Sequence, residues 1–389
     1  MRCLIWLLLS AIAIAQSGRV QVSHTTESLR GVSAVSRQVA WASGTHGTYL
    51  RTTDGGQTWI PAQVPDATAV DFRAVVAFST DEAFLMSAGP RDQSRIYHTS
   101  DAGQHWQLQF TNTNPKGFFD SMAFWDPKHG IVLGDPISDE KGKLKFELLA
   151  TEDGESWHAV PPSQLPEALE GEGAFAASNS CIALVEERRF SAASGPERSG
   201  ASAPAATDDI WFATGGKAAR VFHSPDRGKT WEVSNTPIVR GPESAGIFSI
   251  AFRDALHGVI AGGDYKHPDD DGPNLAFTEN GGKTWTLSSL HPQAYFSAVA
   301  YNRQVNAVAL RKEAEEQSAQ GLGKKLARPA AAQRIFVVGE DFVFDFRPPS
   351  NPRRLSGKRK EGFTFNAVSP FPEGGALVVG PKGTITYIP

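Results

Sequence analysis

The sequence predicts an all-β fold, a seven-bladed β-propeller, and three recurring patterns predict it. Five segments repeat the spacing Ser/Thr-x-Asp-x-Gly-x-Thr-Trp. Seven triplets place an apolar residue, a variable residue and a small residue at the expected inner strands, the triplet at Phe248 departing with Ile250 in the third place. A third pattern, short apolar strands ending in glycine, follows those triplets. Repeats of this kind indicate a propeller or an array of stacked units.

The five Trp-terminated segments are Thr52 to Trp59, Thr99 to Trp106, Thr151 to Trp157, Ser224 to Trp231 and Thr278 to Trp285. Their polar centres are Asp54, Asp101, Asp153, Asp226 and Asn280. The third is one residue short, and the fifth carries Asn for Asp. The side-chain oxygen of Asp or Asn accepts backbone N–H groups inside a turn. Glycine supplies positive φ, and the Trp enters the next strand as an apolar plug. These residues are read as structural.

The triplets begin at Leu29, Phe72, Phe119, Phe175, Phe248, Phe296 and Phe365. Their middle residues are Arg30, Arg73, Asp120, Ala176, Ser249, Ser297 and Asn366. Glycine-ended strands include Val39–Gly44, Ile131–Gly134, Ile210–Gly215 and Ile335–Gly339. The propeller is expected to occupy residues 16–389, its ring closed by Arg19–His24 pairing with the last blade, Gly374–Ile388. Closure removes exposed strand edges. Segments 188–207 and 311–333 break the rhythm with Ser, Ala, Gly and Pro, or with Ala, Gln, Lys and Glu, and read as flexible insertions.

The chain has 389 residues, 40% hydrophobic and 21% charged, with net charge −4. That composition supports a packed core and gives no reason to expect nucleic acid as a partner. Residues 1–15 read as a secretory signal: Arg2, the apolar run Leu4–Ile14, then Ala13 and Ala15 for cleavage after Ala15. The run is shorter than the about 20 residues that span a bilayer, so no transmembrane segment is expected after cleavage, and the location is periplasmic or extracellular. Cleavage removes Cys3 and leaves Cys181 alone, so no internal disulfide is expected and the chain reads as a monomer held by its core.

The stretch Gly44 to Trp59, with Gly47, Arg51 and Asp54, resembles the blade signature of the photosystem II stability/assembly factor-like group of Asp-box propellers. The resemblance implies a non-catalytic, exported propeller acting as a protein-binding or assembly scaffold, with a protein or peptide partner. Similar Trp turns occur in sialidases and xyloglucan-degrading enzymes, so a glycoside hydrolase is the alternative. Sialidase chemistry needs three arginines converging on a substrate carboxylate. The ring offers Arg30 and Arg73 only.

Candidate binding residues follow from the repeat. Arg30, Arg73 and Asp120 share one mouth of the central channel and suit an acidic peptide or small anion. Asp135, in the loop after one glycine-ended strand, and Asp264 with His267, in the loop after another, project from the same rim. The run Asp269–Asp271 beside them contains oxygen ligands but lacks any EF-hand spacing, so no metal is assigned, no cofactor is expected and no residue is assigned as catalytic. Asp126 with His129, and Asp254 with His257, recur at one point of the repeat and read as turn caps. Arg353, Arg354 and Lys358–Lys360 form an exposed basic loop.

Overall fold

The computed structural model describes residues 18–185, 208–289, 293–302, 334–339, 342–346, 353–356 and 364–389. The signal segment, the two insertions and Lys358–Lys360 lie outside them. The chain is an all-β propeller. Its described strands form seven antiparallel sheets. The first is Leu29–Ala34, Ala40–Gly44, Thr48–Thr52 and Ile60–Gln63. The second is Asp71–Ala77, Ala83–Ala88, Arg95–Thr99 and Gln107–Thr111, and the third Phe119–Phe124, Gly130–Ser138, Leu144–Thr151 and His158–Ala159. The fourth is Ile182–Leu184, Ile210–Ala213, Arg220–Ser224 and Glu232–Asn235.

In the fifth sheet, Ala245–Phe252, Gly258–Asp264, Leu275–Thr278 and Thr286–Leu287 are joined by the short strands Gly215–Gly216 and Glu172–Gly173. The sixth is Phe296–Tyr301, Ile335–Gly339, Phe342–Phe346 and Arg353–Ser356. The last is Ala367–Pro370, Ala376–Gly380 and Thr384–Ile388, and its fourth strand is Arg19–Gln21, paired Arg19 to Tyr387 and Gln21 to Ile385. Inner strands of successive sheets pack in a cycle, Leu29–Ala34 against both Asp71–Ala77 and Ala367–Pro370. No helix among the described residues is long and apolar enough to cross a membrane.

Each Trp turn is a closed hydrogen-bond circuit. In the first, the Thr52 hydroxyl donates to Asp54 at 2.9 Å and accepts the Gly56 N–H at 2.9 Å, while Asp54 accepts the Thr58 N–H at 2.9 Å. Thr99 with Asp101, Thr151 with Asp153, Ser224 with Asp226 and Thr278 with Asn280 repeat the hydroxyl contact at 2.8 to 3.1 Å. Both components are local in sequence, so the turn forms wherever the motif stands.

The Trp side chains tie neighbouring sheets. Trp59 Nε1 donates at 2.8 Å to Gln21, on the outer strand of the preceding sheet in the ring. Trp157 does so to Gln109 at 3.0 Å and Trp285 to Ser234 at 3.3 Å, each again on the preceding outer strand. Trp106 stands edge-on to Tyr49 and Trp41 of the first sheet, and Trp231 bonds its own turn at Gly228 while packing on Phe212. Trp59 also shares a core with Leu29, Leu377 and Phe371, from the first and last sheets.

Inner strands exchange polar bonds as well. Ser369 accepts the Ala34 N–H at 3.0 Å, Ser33 the Ala77 N–H at 3.0 Å, and Ser249 the Val299 N–H at 2.8 Å. The Asp126 and Asp254 carboxylates each accept two backbone N–H groups and the Nδ1 of His129 or His257, closing tight turns on the face that carries the Trp turns.

Two outcomes follow for stability. Trp59→Ala empties a buried site at the junction of first and last sheets and is expected to cost about 3–5 kcal/mol in urea unfolding. Trp59→Phe, which loses mainly the Gln21 bond, should cost about 1–2 kcal/mol. Equal losses for the two would show that the Trp body does not staple the sheets. In the second and third turns, backbone N–H bonds hold the Asp101 and Asp153 carboxyls down at about 2. A depressed folded-state pKa stabilises above the ordinary carboxyl range and is lost as pH falls through that value. Acid unfolding between pH 4 and 2 should therefore flatten in an Asp101→Asn/Asp153→Asn variant; an unchanged acid limb would contradict it.

Candidate channel-mouth site

Three residues of the ring pattern sit on β-bulges. Pairing shifts between Leu29 and Gly31, between Phe72 and Ala74, and between Phe119 and Ser121, leaving Arg30, Arg73 and Asp120 as the extra residues. A bulged residue is freed from the ladder and its side chain is re-aimed. Ser297 occupies the same place in the sixth sheet.

The fourth and fifth sheets correct the sequence register. In the fifth, the shift falls between Ile247 and Ser249, so Phe248, not Ser249, holds the ring position. The apolar-variable-small triplet there is Ile247, Phe248 and Ser249. In the fourth, the inner strand starts at Ile182, and the pairing of Ala183 with Trp211 matches that of Ser33 with Trp41. Ser180 therefore takes the ring place that the sequence pattern assigns to Ala176. Phe175 to Ala177 belongs instead to a segment that crosses the channel. The corrected ring still contains only two arginines.

That crossing segment is anchored on several sheets. Asp135 accepts the Ala174 N–H at 3.1 Å. Arg73 Nη1 donates to the Ala176 carbonyl at 2.8 Å, a contact spanning 103 residues. Ser178 donates to the Ser297 carbonyl at 2.8 Å, Asn179 accepts the Met122 N–H at 2.7 Å, and Ser180 donates to Ser249 at 2.7 Å. Phe175 stacks on Phe248 with centroids 3.8 Å apart and planes at 10°. Glycine is required beside that ring: a Cβ on Gly215 would stand 2.2 Å from it.

Around the segment the mouth has three sectors. Arg30 and Arg73 form the cationic one. Burial, then repulsion from Arg73, pushes Arg30 down to about 10, and burial lowers Arg73, opposed by Asp71 and Asp120. The Nε atoms of both are buried without a hydrogen-bond partner.

The acidic sector comes from the third sheet. Asp120 is 1% exposed and its Oδ2 has no partner. Burial, then the charge of Asp135, drives its pKa well above the carboxylate range, with Arg73 pulling the other way. Asp135 is itself the extra residue of a bulge in Gly130–Ser138, so it lies in a strand rather than in the loop read from sequence. Burial raises it to about 6 against the Ala174 N–H bond. Glu147, bonded by Asn112 at 2.9 Å, is raised by burial too.

The third sector is aromatic. Phe248 meets Tyr295 edge-on at 4.7 Å and Tyr265 at 6.1 Å. Tyr295 also lies within electrostatic reach of both arginines. The sequence pattern places none of these aromatic residues at the mouth, since it makes Phe248 a triplet anchor; the shifted triplet at Ile247 is the signal that could have found it.

Asp264 and His267 do not join the arginines. Asp264 is buried, which opposes its ionisation, but bonds from His267, Ser244 and the Lys266 N–H outweigh burial and lower its pKa. His267 is raised by the same contact. The pair caps a turn. Among the described residues no group of three or more His, Cys, Asp or Glu stands together as a metal site. Cys181 is fully buried, and burial raises its thiol far above the range of a nucleophile.

Residues 13–117 match the model of a family described as photosynthesis system II assembly factor YCF48. The resemblance read from Gly44 to Trp59 is thereby borne out. Among solved structures, the chain is similar to YCF48 bound to D1 peptide, at 16% identity over 98% of this chain and 99% of that one, with TM-score 0.60. It is also similar to YCF48 from Cyanidioschyzon merolae, at 16% identity over 96% and 98%, with TM-score 0.57. Identities this low show the shared fold. No curated protein matches the chain.

The acidic sector carries a pH signature. A folded-state carboxyl near 6, against about 4 when unfolded, holds its proton longer than the unfolded chain does. Its contribution to stability is greatest at low pH and falls as pH rises through that window. Asp135→Asn keeps an acceptor for Ala174 and should stabilise at pH 7.5 by on the order of 2 kcal/mol, with little change at pH 4. The same gain at both pH values in urea unfolding would refute the assignment.

Proposed function

We propose that this chain, similar over residues 13–117 to the YCF48 assembly-factor family, is an exported, non-catalytic propeller that binds a peptide segment of a protein partner at the channel mouth. The observation that carries the reading is the pair Arg30 and Arg73, half-buried at adjacent bulges with buried Nε atoms that have no hydrogen-bond partner. A guanidinium matches a planar carboxylate and bonds it strongly when water is excluded. The aromatic wall of Phe248, Tyr295 and Tyr265 suits the apolar part of the same peptide. The solved relative bound to D1 peptide makes a peptide ligand the natural class.

The seven sheets support a seven-bladed count, and the Arg19–Gln21 pairing with Thr384–Ile388 supports closure by the two chain ends. Arg2, Leu4–Ile14 and Ala15 support export, as a secreted or periplasmic monomer beginning near Gln16. Against glycosidase chemistry, the buried Asp120 and the half-buried Asp135 and Glu147 come from one sheet, Asp120 lies within electrostatic reach of Arg73, and the ring lacks a third arginine.

The test is a labelled peptide ending in an aromatic residue and alanine with a free α-carboxylate. It should bind, and its amidated counterpart should bind at least tenfold more weakly. Arg30→Ala/Arg73→Ala should lose at least tenfold in affinity while its melting temperature holds. Unchanged binding by that variant would remove the mouth as the site.

A further inference from the structure

Arg73 is already engaged. Its Nη1 bonds the Ala176 carbonyl, a neutral acceptor supplied by the chain itself, while its Nε has no partner. Beside that carbonyl, Phe175 covers Phe248, the centre of the aromatic wall. Phe175 and Ala176 thus present an aromatic ring and an acceptor oxygen to the groups that a peptide ligand would engage. Both remain partly exposed, as does Ala177. The flanks are pinned, Ala174 to Asp135 and Ser178 to the Ser297 carbonyl.

We propose that Phe175–Ala177 is an internal competitor: it occupies the mouth in the free protein, and a ligand carboxylate displaces the Ala176 carbonyl from Arg73. The inference rests on the peptide-binding reading of that mouth and adds which residues the ligand must replace. A guanidinium bonds a carboxylate more strongly than a neutral carbonyl, so the exchange favours an anionic end over an amide. The cost is release of one main-chain acceptor that the free mouth leaves able to reach water. Affinity is then set partly by how firmly the flanks hold the competitor, which is a conformational cost that a loosened segment lowers.

Ser178→Ala removes the tether to Ser297 without touching Arg73 or Phe248. Phe175→Ala removes the stack. Each is titrated with the carboxylate-ended peptide above, with circular dichroism and melting as checks on folding; if Phe175→Ala does not fold, Ser178→Ala carries the test. The expected result is three- to tenfold tighter binding by the loosened variant than by the parent chain. Binding by a variant when the parent does not bind would support the competitor while overturning the reading that the parent chain itself binds a peptide there. Equal or weaker binding by Ser178→Ala, with the parent binding and needing Arg73, would overturn the competitor and leave the peptide site standing. Absence of binding by parent and both variants would overturn both.

Discussion

The structure depends on one recurrent junction, a tryptophan held between two sheets. No sheet here buries both its faces alone, because each is a short ribbon of about four strands. The Trp turn solves this locally and globally at once. Its hydroxyl–carboxylate circuit fixes the turn, and the indole then leaves the turn to pack on, and in three places bond to, the preceding sheet. The same residue that ends one motif therefore sets the spacing to the next. Gln21 shows how far this reaches: it stands on a strand from the start of the chain, pairs in the last sheet and accepts the indole of the first turn.

Once those junctions set the ring, the inner-strand bulges decide what faces the channel. A regular strand would place its side chains alternately on the two faces of the sheet. In five of the seven described sheets one extra residue at a fixed place breaks that alternation and presents a single side chain to the mouth. The backbone arrangement is shared, so the chemistry of the mouth is a matter of residue choice, sheet by sheet. Two arginines, an aspartate and a phenylalanine then create three distinct sectors without any change in architecture.

The fold was legible because its signals are local. Thr52, Asp54, Gly56 and Trp59 lie within one turn, and each bond among them is dictated by spacing. The candidate site was legible only where the same locality held. Arg30, Arg73 and Asp120 were found through the triplet, but the triplet slipped by one residue at Phe248 because Phe itself resembles the anchor position. Phe175 met the pattern for the same reason while belonging to a crossing segment. Asp135 was read as a loop residue because the hairpin Gly130–Thr151 is longer than its counterparts. The bond from Arg73 to Ala176 had no sequence signal at all, since it joins parts of the chain that only ring geometry brings together.

The ring positions allow a comparison within one molecule. Ser297 donates to the Phe365 carbonyl at 2.8 Å, and Asn366 donates to the Leu29 carbonyl at 2.7 Å, each bridging to the next sheet. A small polar residue at this place therefore satisfies itself and strengthens the ring. Arg30, Arg73 and Asp120 do neither fully: each carries a buried polar atom without a partner, and burial opposes the charge of each. Burying such groups unpaired costs stability, and the fold has a cheaper residue for the position. Local choices that conflict with stability concentrate where a protein meets its ligand. The contrast between the two ring positions that bridge, Ser297 and Asn366, and the three that do not supports the arginine side of the mouth as the proposed binding site, on grounds independent of any resemblance.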